Sequence, residues 1–163
     1  MSNSMMSDTI KAGIIFSILV FLVGSLLGTI RELYLVPRYG PDMAVLIELP
    51  VILAISWNAC GIVLRHVPVP AKIGPRLIMG MVALGLLLLA EIALATIGFG
   101  QSMATILTQY ATPPGAIGLA GQVAFGLIPV ARLVARERLA HLAQYRKSLE
   151  QPKSNRRHLA GED

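Results

Sequence analysis

Apolar residues arrive along this chain in four long blocks, separated by short polar or turn-forming stretches. Block one, 12–30, contains no charged residue. Block two, 43–64, contains one, Glu48, and block three, 77–100, contains one, Glu91. Block four, 115–131, contains none and is rich in Gly and Ala. About 20 mostly apolar residues cross the hydrocarbon of a bilayer as a helix. The pattern therefore predicts four transmembrane helices. The fourth is the shortest and reaches spanning length with Arg132 snorkelling to the interface.

The predicted fold is all-α, an integral membrane four-helix bundle. Residues 1–11 form an N-terminal segment and 12–134 a membrane domain with spans at about 12–30, 43–64, 77–100 and 115–131. Residues 132–150 form a basic juxtamembrane helix, and 151–163 read as a disordered tail. The stretch MSNSMMSDTIK is polar, and block one is longer than a signal-peptide core with no clear small-x-small site after it. Block one is therefore read as a retained helix.

The connecting stretches refine this picture. In RELYLVPRYGPD, the residues Pro37, Gly40 and Pro41 are expected to break any continuing helix. In RHVPVPAKIGPR, three prolines favour a stiff extended connection. Met103, Ile106, Leu107 and Tyr110 follow helical spacing, which predicts a short interfacial helix capped by Ser102 and stopped by Pro113–Pro114. Beyond Ala131, Leu139, Leu142 and Leu149 recur on one side of an amphipathic basic helix.

Composition and charge set the class. The chain has 163 residues, 55% hydrophobic and only 14% charged, with a mean hydropathy of +0.67. That is half the usual charge of a soluble domain and argues against a soluble enzyme. The net charge of +5 is unevenly spread. Four spans put Lys11, Arg65, Lys72, Arg76 and eight tail cations on one side, and only Arg31 and Arg38 on the other. Twelve against two predicts that both termini are cytoplasmic, in a bacterial inner membrane. Cations clustered beside apolar blocks read as topology and contact with anionic lipid, not as a nucleic-acid face. Arg132, Arg136 and Arg138 are the expected headgroup anchors.

The candidate chemistry is sparse. Cys60 is the single cysteine, which excludes an internal disulfide and any multi-cysteine metal site. His66, His141 and His158 all fall outside the spans. No Walker loop, G-x-S-x-G, H-E-x-x-H or dinucleotide fingerprint occurs. No enzyme activity, cofactor or metal is therefore expected.

Glu48 and Glu91 are the exceptions, because a charge near the bilayer centre costs about 2.5–3.5 kcal/mol on insertion scales. Residue counting places Glu48 about 7–8 Å and Glu91 about 13–14 Å inside the same boundary. Arg31 closes the first span on that side, so an intramembrane Arg31–Glu48–Glu91 cluster is expected. Arg38, Asn58 and Gln122 are further polar candidates. Pro50 is expected to break the helix beside Glu48. Gly24 and Gly28 form a GxxxG pair suited to close helix packing.

Two readings of the acids follow. In one, Arg31 pairs with a glutamate and the cluster holds the bundle, or a partner, together. In the other, the acids form a proton or cation site for a small carrier or exporter.

The stretch GTIRELYLVPRYGPDMAVLIELP, with AEIALA in the third block, resembles a group of small, functionally uncharacterised four-span bacterial inner-membrane proteins, often proteobacterial. The resemblance covers roughly residues 20–135. Its I-R-E, P-R-x-G and E-x-P elements correspond to Arg31, Glu32, Pro37, Arg38, Gly40, Glu48 and Pro50. It implies class and location and no activity. Small multidrug-resistance exporters also have four spans and a membrane glutamate, but theirs lies in the first span, where this chain has none. The expected function is a non-enzymatic multi-pass protein, such as an accessory subunit of a membrane complex. Its expected contacts are the bilayer, anionic lipid at the cytoplasmic face, and a membrane-protein partner or a second copy of the chain.

Overall fold

A computed structural model describes residues 3–150, and every element in that range is helical. Helix α1, Asn3–Ile30, continues through a π-helical segment, Arg31–Leu35, into α2, Val36–His66. Helix α3, Ile73–Ala93, ends in a second π-helical segment, Leu94–Gly98. Helix α4 is Met103–Tyr110, and α5 is Pro113–Glu150. The expected tail at 151–163 lies outside the described residues.

Among the described residues, three helical stretches are long and apolar enough to cross a membrane. The first, Ser4–His66, has 63 residues. At 1.5 Å per residue a straight helix of that length would be about 95 Å long, three times the hydrocarbon thickness. It is not straight. Gly40 has φ 76° and ψ 166°, a conformation that favours glycine, and the chain folds back on itself there. Arg31 and Glu48, nearly equidistant from Gly40 along the sequence, meet across the fold.

This corrects two expectations about breaks. Helical dihedrals persist through Pro37 and through Pro50, and Gly40 is the one interior break in α2. At Pro37, the preceding π-turn helps: the Val36 N–H bonds back to the Arg31 carbonyl, five residues away, so the chain widens just ahead of the ring. At Pro50, the ring removes one N–H without changing the path, and the residue faces outward. Pro50 is thus a missing hydrogen bond and not a helix break.

The other ends follow local chemistry. Helix α2 stops where Val67 becomes extended, immediately before Pro68. Ser102 caps α4 as expected, accepting the Thr105 N–H at 3.1 Å. Pro113 begins α5, whose first turn is capped by Thr112 Oγ1 accepting the Gly115 N–H at 3.3 Å. The prolines that stop α4 thus start α5, where a missing N–H costs nothing. The stretch 132–150, expected to be a basic juxtamembrane helix, is the continuation of α5, which runs for 38 residues.

Helix α1 lies beside α2 and α3, and α5 lies beside the same two. Contacts give the directions. Gly24 near Ile52 and Arg31 near Glu48 make α1 and α2 antiparallel. Gly80 against Gly126 and Glu91 against Gln122 make α3 and α5 antiparallel. Leu49 on Gly121 and Gly61 on Arg132 make α2 and α5 parallel.

The closest approach is at Gly80, where a methyl group would run into the Gly126 carbonyl. Gly13 is similarly pressed on Met79 and Val82. The expected pair is displaced from this role: Gly24 has only one side-chain atom, on Ile52, at 3.9 Å from where a Cβ would sit, and Gly28 has nothing within 4 Å.

The core lies toward the His66 end, around Phe16, Cys60, Met79 and Phe125. The rings of Phe16 and Phe125 are 4.6 Å apart at 34°. The outward faces are apolar as well. Leu22, Leu26, Met81 and Leu89 are exposed, and Ile97 is 86% exposed. Such a surface is unfavourable in water and suited to hydrocarbon.

Candidate functional site

The two acids sit at the Gly40 end, each held from the neighbouring helix. Arg31 Nη1 donates to Glu48 Oε2 at 2.9 Å, joining α1 to α2. The same guanidinium donates through Nη2 to Glu32 Oε1 at 3.1 Å. The Glu48 side chain is 12% exposed and that of Arg31 29%, so the pair is shielded but not sealed. Glu32 is largely exposed and serves as the outer arm of the same cation.

Glu91 does not share Arg31's hydrogen bonds. Gln122 Nε2 on α5 donates to Glu91 Oε2, joining α5 to α3. The expected three-residue cluster is therefore two adjoining clips. Leu49, next to Glu48, packs on Gly121, next to Gln122, so both clips lie at one level of the fold. Gln122 Oε1 is buried and has no hydrogen-bond partner.

Tyr110, the last residue of α4, lies near this acid. Burial holds its phenol above the ordinary value, and the negative charge of Glu91 adds to the effect. α4 packs on α5, and in it Ile106 is buried while Met103 and Leu107 remain exposed. The Tyr110 end of the short helix thus lies near Glu91.

The remaining candidates divide. Gln122 belongs to the site. Asn58 does not: its Nδ2 donates to the Ala54 carbonyl of its own helix at 2.9 Å, and the residue faces out. Arg38 is exposed, clear of both clips.

Arg132, expected to reach outward to lipid, is folded onto α2 instead. Its Nη1 donates to the Trp57 carbonyl at 2.7 Å, and the guanidinium lies 5.0 Å from the Trp57 ring. Cation–π contact and a charge-assisted hydrogen bond hold it there. It crosses Gly61, where any side chain would collide with it. Arg136 and Arg138 are exposed, as an anchoring role requires. Cys60 is fully buried and free.

Two site residues escaped the sequence reading. Tyr110 was legible only as one position of an apolar stripe, with no sign of the acid near it. Arg76 read as a loop cation, yet it is 7% exposed. Its nearest signal is position: it opens a long apolar block, which suits a cation drawn inward as much as one turned to headgroups.

No family model, curated protein or solved structure matches this chain. Function therefore rests on the chemistry of the site itself. Each acid has a hydrogen-bonding partner on the adjacent helix, an arrangement that offsets the cost of removing a carboxylate from water.

Proposed function

We propose that the protein is a non-enzymatic, four-span subunit of the bacterial inner membrane, with both termini cytoplasmic. Its acids hold the helices in one arrangement for a membrane-protein partner or a second copy of the chain. The observation that carries this reading is the cross-helix pairing of both acids, Glu48 with Arg31 and Glu91 with Gln122. A charge kept in hydrocarbon normally has a partner or a task, and here each has a partner. The orientation is supported by the separation of charge: the acids gather at the Gly40 end, while Arg65, Arg76, Arg132 and Arg136 line one cavity at the other.

A second reading, a proton-coupled carrier, is favoured by one feature. Gln122 Oε1 is a buried acceptor without a donor, directly beside Glu91. A protonated Glu91 would supply that donor after rotation of the amide, whose two ends are interchangeable by assignment.

Glu91→Gln separates the two. On the subunit reading, this change lowers the folded yield in detergent or releases a co-purifying membrane protein, and proton-driven uptake into vesicles is nil in the parent. Normal folded yield with uptake present in the parent and abolished in the variant would replace the subunit reading with the carrier.

A further inference from the structure

A second polar site lies at the His66 end, remote from the acids. A cavity of about 600 Å³ is lined by Arg65 of α2, Arg76 of α3, and Arg132, Arg136 and Glu137 of α5. Four cations face one carboxylate there, an excess that the fold assembles from three helices.

Arg76 is the decisive member. It is more than nine-tenths buried, and its Nη2 donates to the Val69 carbonyl at 3.3 Å. Its Nε and Nη1 are buried and have no partner. Arginine keeps its charge under almost any condition, so this group cannot become neutral to relieve its burial. A buried guanidinium with two idle donors is costly unless an acceptor reaches it. Nε and Nη1 lie on different edges of the guanidinium, with the Val69-bound Nη2 between them, so each edge keeps one idle donor for an oxygen of an anion.

The neighbours fit that purpose. Arg132 is positioned by the Trp57 carbonyl and ring, so its charge at the cavity wall is preset. Arg65 and Arg136 are exposed and free to close over a ligand. Two positioned guanidiniums and two exposed ones suit a tetrahedral oxyanion, whose oxygens point in several directions.

The geometry points to a binding site for a phosphate group, with Arg76 at its floor and Arg65, Arg132 and Arg136 around it. Phosphate could be presented by the headgroup of an anionic phospholipid or by a free phosphorylated solute. This site extends the anchoring role expected of Arg132 and Arg136 from diffuse attraction to one defined, stoichiometric position. It does not depend on what the acids at the opposite end do.

The test uses the full chain purified in a maltoside detergent at fixed ionic strength. One arm adds inorganic phosphate, with chloride as control, and follows the thermal transition. The other adds phosphatidylglycerol or phosphatidylcholine and counts retained lipid by native mass spectrometry. Saturable binding of one equivalent is expected in at least one arm, weakened about tenfold by Arg136→Gln or Arg65→Gln, the loss of one charge-assisted contact. Retention of phosphatidylglycerol without a response to phosphate assigns the site to lipid. A saturable response to phosphate assigns it to a free solute. Arg76→Gln should abolish binding where the variant folds. Arg65 and Arg136 are exposed, so their variants decide the matter if it does not. Absence of saturable binding in both arms overturns the proposal, as does binding that is indifferent to both exposed substitutions.

Discussion

At the residue scale, the Arg31–Glu48 pair shows how a charge is retained in an apolar block. The carboxylate is shielded, and its partner comes from the neighbouring helix. Removing only Arg31 leaves Glu48 without its cation. Arg31→Ala should therefore destabilise the fold by about 1–3 kcal/mol, the cost of an unsatisfied charged group. The double substitution Arg31→Met with Glu48→Leu should recover most of that loss, because two apolar groups leave nothing unpaired. Thermal unfolding in detergent, followed by Trp57 fluorescence, compares the variants. A double variant as unstable as Arg31→Ala would contradict this account. Cys60 offers a second residue-scale check. Its thiol is fully buried, so a membrane-permeant maleimide should leave the folded chain unlabelled and react after denaturation in SDS.

At the scale of elements, glycines and caps decide how the helices meet. The GxxxG pair was visible in the sequence, yet the tight crossing is made by Gly80 and Gly126. Spacing along one helix reports a small-residue face without saying which helix covers it. Gly80→Ala should lower stability by about 1–3 kcal/mol through overpacking. Gly28→Ala, in open space, should be neutral or slightly stabilising. Folded yield on gel filtration and the unfolding midpoint would reveal the opposite order if the crossing were elsewhere. The α4 cap makes a local prediction. Ser102→Ala should cost that short helix about 1 kcal/mol, seen as faster hydrogen exchange at Thr105 while the exchange of α3 is unchanged.

At the scale of the whole molecule, two polar centres occupy opposite ends of an otherwise apolar fold. The clips at the Gly40 end join α1 to α2 and α3 to α5. The arginine cavity joins α2, α3 and α5 at the other. In the proposed topology, the clip end faces outward and the cavity end faces the cytoplasm. With Cys60 replaced by Ala, a cysteine at Asp42 should label with an impermeant maleimide in intact spheroplasts. A cysteine at Lys72 should label only after permeabilisation. The reverse pattern would invert the topology and remove the support that charge separation lends it.

The sequence by itself determined the helical character of the chain, the capped α4 helix and the two acids among apolar residues. These are local properties, set by periodicity, length and the cost of charge in hydrocarbon. It also identified Arg31 as a partner within reach of the acids. Only the tertiary structure decided that Arg31 takes Glu48 while Gln122 takes Glu91, because partner choice depends on which helices are adjacent. The same holds for Arg76 and Arg132, which sequence reading turned toward solvent or lipid and the fold turns inward. Residue type assigns a side chain its charge and reach. The surface it meets belongs to other helices, and no local pattern encodes their arrangement.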